Sequence, residues 1–495
     1  MGSTAKAIIG IGLVATGLGA FGAMAGLGAY VGVGALTYGG LMTLVGASLL
    51  GSALAPDVGD IGGVDSYSGI KLQTQKSNTN PVPIIYGQNK IAGNIIYQTT
   101  NSAINNDDAA NGYNRDYWAV MVFAGHNIDS MVDMWSSDNN SLSVSGTKQT
   151  EEYVHIDWGY TSTATNIQGL NWVTDSAFST STGTALGLDS VVIPADCSYL
   201  LVHQVFDAQQ SKNIQLDNII VEIKGKKIRT MTDANTISTA LTYSNNPVNV
   251  VLDLLTNALS VDDSSIDTAS FYQSQQDCIN NGWECNVALI QQANIQSIIQ
   301  DVLATCRGQI VHSNGSWKLK IDTKSQTSVA TLTDDDFINN SLSISMKGNR
   351  DISNKIIVKY VNPSDEWLSA QVVKEDTTLQ SWDGQTLEKT LDIKGITNQT
   401  QAEELAEITL NTMRYTEDDI GTRVKQTPLA LSFSTTVKNA HLEVGDVITI
   451  DSDLLDRDRK FMILSVETDQ SGLIQISTRE YCETHYKDSS GTYLI

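Results

Sequence analysis

The chain has 495 residues, enough for roughly three domains at about 150 residues each, so several cores can form without disulfides or metals. Charged residues make up 17%, below the usual share of about 25%, and 41% are hydrophobic. The 55 acidic side chains outnumber the 31 basic ones and give a formal net charge of -24. Phosphate binding needs clustered Lys and Arg, so this balance excludes sequence-specific reading of DNA, though not an acidic lining past which DNA slides.

From Ala7 to Pro56 there is no charged side chain. A spanning helix needs about 20 apolar residues, so the stretch has room for two passes or for one pass and a hairpin. Three readings stand open. Lys6 and the small residues Ala53-Leu54-Ala55 resemble a secretory signal, but the run far exceeds a signal core of roughly 7–15 residues. The second reading is a buried packing segment. The third, which we favour, is a conditional, fusion-peptide-like element that meets a bilayer. Gly22 with Gly26, and Gly28 with Gly32, have the spacing that lets membrane helices approach closely. Asp57 to Tyr67 reads as a linker.

The body reads as strands punctuated by helices. In PVPIIYGQNKIAGNIIY (81–97), two β-rich runs flank a turn over Gly87 to Lys90. Tyr117 to Phe123 (YWAVMVF) predicts a buried strand. The segment from Thr150 to Ser190 has weak periodicity and reads as an insertion or surface excursion. Asn218 to Thr230 predicts two strands around a turn at Gly225. Asn246-Pro247 supplies a cap and a first-turn proline for a helix with Val248, Leu252, Leu255 and Leu259 as its buried stripe. Asn286 to Cys306 predicts a second helix, ended by Gly308. Asn314-Gly315 suits a type I′ turn and predicts a hairpin over 309–322. Thr400 to Met413 predicts a third helix, with Thr400 and Glu403 as a capping box. Alternating strands follow at 444–451 and 460–479, with a turn at Gln470-Ser471-Gly472. Helices that lead into hairpins indicate a β-rich α+β fold.

Chemistry is sparse. The sequence carries no HExxH, GxSxG or Walker motif. Its GxGxxG match, Gly17 to Gly22, lies in the Gly/Ala-rich stretch, with no acidic ribose partner before Asp57. The histidines at 126, 155, 203, 312, 441 and 485 are dispersed and read as surface or turn residues. Cys197, Cys278, Cys285, Cys306 and Cys482 lack disulfide or zinc spacing and read as reduced thiols. Asp334-Asp335-Asp336 and the 451–458 run (DSDLLDRD) lack the glycine and late glutamate of an EF-hand, and read as solvated turns or caps. No metal, cofactor or catalytic residue is expected. A glycan-degrading enzyme using carboxylates of those two clusters is the enzymatic alternative.

Taken in order, several segments resemble the central hub, or tip attachment protein, of long-tailed bacteriophages. They are the 81–97 run, YWAVMVFAGHNIDSMVDMW (117–135), SYLLVHQVFDAQQ (198–210), LDNIIVEIKGKKI (216–228), YSNNPVNVVLDLLTN (243–257) and SFYQSQQDC (270–278). GQIVHSNGSWKLKI, LTDDDF, NKIIVKYVNPSDEW (354–367), HLEVGDVITI (441–450) and STREYCETHY (477–486) complete the series. The resemblance implies a homotrimer that closes the distal end of a tail tube, with two β-barrel-like tube domains and accessory α+β domains per chain. The expected divisions are the apolar segment 1–56, a first barrel-like domain 57–245 with an insertion near 150–190, an α+β domain 246–345, a second barrel-like domain 346–482 and a tail 483–495. The implied partners are distal tail and tail tube proteins, the tape-measure protein and a separate tip fibre or receptor-binding protein. The host membrane would be a conditional partner, and genomic DNA would pass without specific binding. The chain would assemble in the bacterial cytoplasm and reside at the virion tail tip. The resemblance also implies that the hub core finishes near Ile495, with receptor binding delegated to the fibre. The remaining alternative is a bacterial surface protein anchored by residues 7–56.

Overall fold

The structure, a computed structural model, describes residues 75–76, 81–101, 116–135, 141–142, 148–150, 154–161, 165–166, 192–205 and 219–487, with 291–292, 325, 339–340, 347, 349–350 and 469–471 excepted. The 1–56 segment with Gly22, Gly26, Gly28 and Gly32, the 57–67 linker and residues 488–495 lie outside the described residues.

The first part of the body is two packed sheets. Asp116–Ala124 and Cys197–Val205 form the middle of a six-stranded sheet, flanked by Asn94–Asn101 on one side and Val154–Thr161 on the other. Residues 119 to 124 are all buried, because the sheet is covered on both faces. Met121, Phe123, Leu200 and Val202 face Ile91, Met131, Met134, Val221 and Ile223 of the second sheet. Val120, Val122, Tyr199 and Leu201 pack on the other side with Ile193. Val154–Thr161 pairs along its length with Cys197–Val205, so this part of the weakly periodic 150–190 segment belongs to the sheet.

Two predicted turns are strands. Gln88–Ala92 pairs with Ile220–Ile228, so the expected Gly87-to-Lys90 turn shrinks to a bend at Gly87, where φ is +68°. Ile220–Ile228 runs through Gly225 without turning. An added Cβ on Gly225 would stand 2.2 Å from the Ile85 carbonyl oxygen, and the Gly225 N–H donates to the Gly87 carbonyl at 2.8 Å. Gly225 is therefore required by the close approach of a second backbone, which reads in sequence like a turn signal.

The central part is helical. Asn246 accepts from the Val248 N–H and caps Pro247–Asp253, all seven residues of which are buried. The expected stripe of Val248, Leu252 and Leu255 is buried, with Leu259 partly so, but the helix is buried all round and carries Asn249 and Asp253 on its other faces; Leu255 lies in the 254–258 turn that continues it. The predicted 286–306 helix is a correction. Val287–Leu289 is a strand paired with Ile84–Tyr86, and the helix proper is Ile295–Ala304, capped by Asn294. Tertiary pairing with a distant strand overrides local helical periodicity there. Thr268–Asn281, which the sequence reading missed, is a further helix closed by Gly282 at φ +66°. The hairpin Gly308–Ser313 with Ser316–Ile321 forms as expected, with Asn314 and Gly315 at φ 53° and 80°.

The last part holds two more sheets. Lys355–Asn362 lies between Leu368–Glu375 and Glu388–Asp392, and the helix Gln399–Arg414 covers one face. Its cap is Asn398, which accepts from the Thr400 N–H, rather than Thr400 itself. A short helix, Thr377–Asp383, was also missed. The second six-stranded sheet takes Val447–Asp451, Arg459–Thr468 and Ile474–Glu480 at its centre, with Ser328–Thr333 and Ser343–Met346 at its edges. Leu431, Phe433, Ile448, Phe461 and Ile476 form its core. The fold is thus β-rich α+β with few helices. No sheet closes into a barrel among the described residues.

Replacing Gly225 with alanine is expected to cost about 3 kcal/mol or more, because the Ile85 backbone has no room to retreat. Urea unfolding followed by tryptophan fluorescence checks this; an unchanged midpoint would mean the crossing is loose.

Candidate functional site

The residues that carry most electrostatic consequence lie where the parts meet. Asp322 ends the central hairpin, and its side chain is 1% exposed. Arg479, on the last strand of the second six-stranded sheet, donates to Asp322 Oδ2 at 2.7 Å. Arg307, at the end of the 295–304 helix, pairs with the same oxygen, and the Tyr486 hydroxyl donates to Oδ1. Burial alone would raise this carboxyl; the two guanidinium groups and the Tyr486 hydrogen bond outweigh it and hold the pKa at about 2. Tyr481, beside Tyr486, donates to the Thr323 carbonyl at 2.8 Å. One carboxylate thus joins the helical centre, the second large sheet and the stretch after it.

A second buried acid, Asp253, does the same towards the first sheets. It accepts from the Tyr86 hydroxyl at 2.6 Å, Lys226 Nζ at 2.5 Å and Asn257 Nδ2 at 2.5 Å. Asp376 caps the 377–383 helix and takes Lys425 Nζ at 2.8 Å along with the Tyr415 hydroxyl. Burial opposes ionisation of Asp376, yet these donors hold it well below the ordinary carboxylate range.

Two of the histidines read as surface or turn residues are buried, which corrects that expectation. His126 Nε2 accepts from the Ile85 N–H at 2.8 Å while Nδ1 faces the Asn127 carbonyl at 3.1 Å, so the ring is the neutral Nδ1–H tautomer. Burial lowers its pKa to about 4. His485 is fully buried; its Nε2–H donates to the Tyr415 carbonyl at 2.7 Å, and burial lowers its pKa to about 3. Loss of water is the largest cause of both shifts, with Lys226 adding to that of His126 and Arg479 and Arg423 to that of His485, and no sequence motif marks it. The five cysteines are free and buried. Thr484 and Tyr486 of the 483–495 stretch are buried as well.

The two acidic clusters come together as structure. Asp334 accepts from Ser452 Oγ at 2.5 Å and from the Asp453 N–H at 3.1 Å. Asp336 accepts from the Thr333 N–H and pairs with Lys438 at 2.7 Å. Asp456 pairs with Arg459 at 2.8 Å. Among the described residues, no group of His, Cys, Asp or Glu is arranged to hold a metal ion, and no helix is long and apolar enough to cross a membrane.

Residues 294–466 match a family model described as "Putative phage tail protein". No curated protein matches the chain. A chain in a solved structure described as the virion of a native gene transfer agent (GTA) particle is 13% identical, with a TM-score of 0.55 over 90% of this chain and 94% of that one. The two chains share a fold. The tail protein from Neisseria meningitidis MC58 is 9% identical, with a TM-score of 0.28 over 81% of this chain and 96% of that one. Prophage tail protein gp18 from Listeria monocytogenes EGD-e is 11% identical, with a TM-score of 0.26 over 71% and 88%. The family match thus covers about a third of the chain, and the shared fold extends over nearly all of it.

The buried histidines give a pH dependence. Their folded pKa values lie below the ordinary 6.5, so the unfolded chain binds more protons and stability falls as pH drops from 6.5 towards 4. The loss by pH 4 is on the order of 3 kcal/mol per histidine. Asp322 adds its own loss only below about pH 4, as pH falls towards 2. His485→Gln keeps a donor for the Tyr415 carbonyl but cannot titrate. Urea unfolding at pH 7 and 4.5 should show the variant losing about half as much stability as the parent. An equal loss would exclude His485 as a source.

Proposed function

We propose that this chain is the central hub of a long phage tail tip: a structural virion protein that closes the distal end of the tail tube as a homotrimer and forms the conduit for DNA ejection. The observation that carries the reading is the phage tail family match over 294–466, which spans parts of the helical centre and both later sheets. The fold shared with a chain of a gene transfer agent virion supports it over nearly the whole length.

In this reading the two large six-stranded sheets are the tube-like, barrel-like elements: the first lies within 57–245, the second is built from 429–480 and draws its edge strands from 328–333 and 343–346, and the helical part that starts at 246 holds them at a fixed angle. Three copies would offer six such sheets to a hexameric tube. The tube side would meet distal tail and tape-measure proteins, and the far side a separate fibre. A trimer carries three times the -24 charge, so DNA in the channel is repelled from the wall rather than adsorbed. The apolar segment ending at Pro56 would act at the bilayer during ejection, with Gly22, Gly26, Gly28 and Gly32 allowing its helices to pack.

The reading contains no catalytic step. A glycosidase needs two carboxylates facing a scissile bond, about 5–10 Å apart. Asp334 and Asp336 are instead committed to Ser452, Asp453 and Lys438, which favours the structural role. Quantitative mass spectrometry of purified particles is expected to find three copies per tail. Its absence from particles, with all of it in the host membrane fraction, would replace the hub with a membrane-anchored surface protein.

A further inference from the structure

A cleft of about 480 Å³ lies away from the acid-centred junctions, at the meeting of the 243–245 segment, the 284–286 turn, the tip of the 355–375 hairpin and the start of the 399–414 helix. Its volume is in the range of small-molecule sites. Its lining is polar but nearly uncharged. Asn, Gln, Ser and Thr dominate, Glu284 is the one carboxylate, and no Lys, Arg or His takes part. Lys224 stands over the Tyr243 ring, 5.4 Å from its centroid, and is not part of the lining.

Several lining groups are already used. Asn286 bridges the Gln88 N–H at 2.8 Å and Thr397 Oγ1 at 2.6 Å, which fixes the floor. Asn362 Oδ1 accepts from the Ser364 N–H at 3.1 Å, leaving its Nδ2 donor uncommitted. The side chains of Asn245 and Glu284 and the Tyr243 hydroxyl make no hydrogen bond among the described residues. Burial and the nearby Glu284 push Tyr243 up to about 12, so its hydroxyl stays a donor at neutral pH.

One wall is held under strain. Glu366 and Trp367 are successive non-glycine residues at φ 50° and 62°, a conformation uncommon for any side chain and more so for a bulky one. Trp367 is only 4% exposed. Its N–H donates to the Asn362 carbonyl at 3.0 Å, and its indole reaches Glu222 Oε2 at 3.4 Å. The tryptophan wall is thus set before any ligand arrives, which lowers the ordering cost of binding.

We propose that this cleft binds a neutral sugar, gripped by Tyr243, Asn245, Glu284 and Asn362 against the Trp367 wall. Each sugar hydroxyl both donates and accepts, and the free groups offer both: amide N–H and phenol donors beside amide and carboxylate acceptors. An anion would meet Glu284 with no cation in the lining to offset it. An apolar ligand would strip water from amides without replacing their hydrogen bonds. This inference goes beyond the hub reading and stands or falls separately from it.

The test is saturation-transfer NMR with intrinsic fluorescence titration of the full chain against maltotriose, chitotriose and the anionic control 3′-sialyllactose. Saturable binding of at least one neutral trisaccharide is expected, with at least tenfold weaker binding of sialyllactose. Asn245→Ala with Asn362→Ala should weaken the neutral ligand at least tenfold. Asn362→Asp, which keeps the acceptor for Ser364 and removes the donor, should also weaken it, at an unchanged unfolding midpoint. Lack of saturable binding by both neutral sugars would overturn the proposal. So would equal affinity for sialyllactose, or neutral binding untouched in a folded Asn362→Asp variant.

Discussion

The fold depends on one buried carboxylate answered by two guanidinium groups. Taking ions out of water costs several kcal/mol each, so the cluster of Asp322, Arg307 and Arg479 is a poor source of net stability. Its consequence is positional. Withdrawing either side leaves buried charge uncompensated, at a cost of about 3–5 kcal/mol, so the second large sheet cannot shift against the helical centre while the protein stays folded. Hydrophobic contact alone would permit such sliding, because it has no direction. Tyr486 seals the arrangement from the C-terminal side, which explains why the stretch after the last strand is buried.

The same device recurs at the other joint. Asp253 collects a lysine from the five-stranded sheet, a tyrosine from the 84–86 strand and an asparagine from its own helix. Around it two glycine positions, 87 and 225, let three backbones cross without side chains between them. An added Cβ on Gly87 would stand 2.1 Å from Asn286 Oδ1. Directional polar contacts and backbone crossings therefore fix the second large sheet, and the five-stranded sheet on which the first large sheet packs, to one helical centre. A subunit that had to present two sheets at a set angle to a ring would need this property, which connects the packing to the proposed hub.

Local signals in the sequence were legible and long-range ones were not. Asn314-Gly315 sets its own turn, and Asn246-Pro247 its own helix start, because the energies involved lie within a few residues. The apolar run at 117–123 marked a buried strand, and residues 119–124 are covered on both faces. Gly225 misled because a glycine required by a neighbouring backbone looks the same as one required by a turn. Val287–Leu289 misled because its strand exists only through pairing with Ile84–Tyr86, some 200 residues away in sequence. The junctions and the polar cleft were beyond reading for the same reason. Tyr243, Glu284 and Asn362 belong to segments with no shared motif, and only the packing of sheets on helices brings them to one place. The buried state of His126 and His485 likewise follows from what covers them.

The most direct test of the hub is single-particle imaging of the chain shortened to residues 57–495, mixed with its tail tube and fibre partners at high concentration. Threefold rings with an open central channel are predicted. Folded monomers that form no ring in the presence of those partners would contradict the hub.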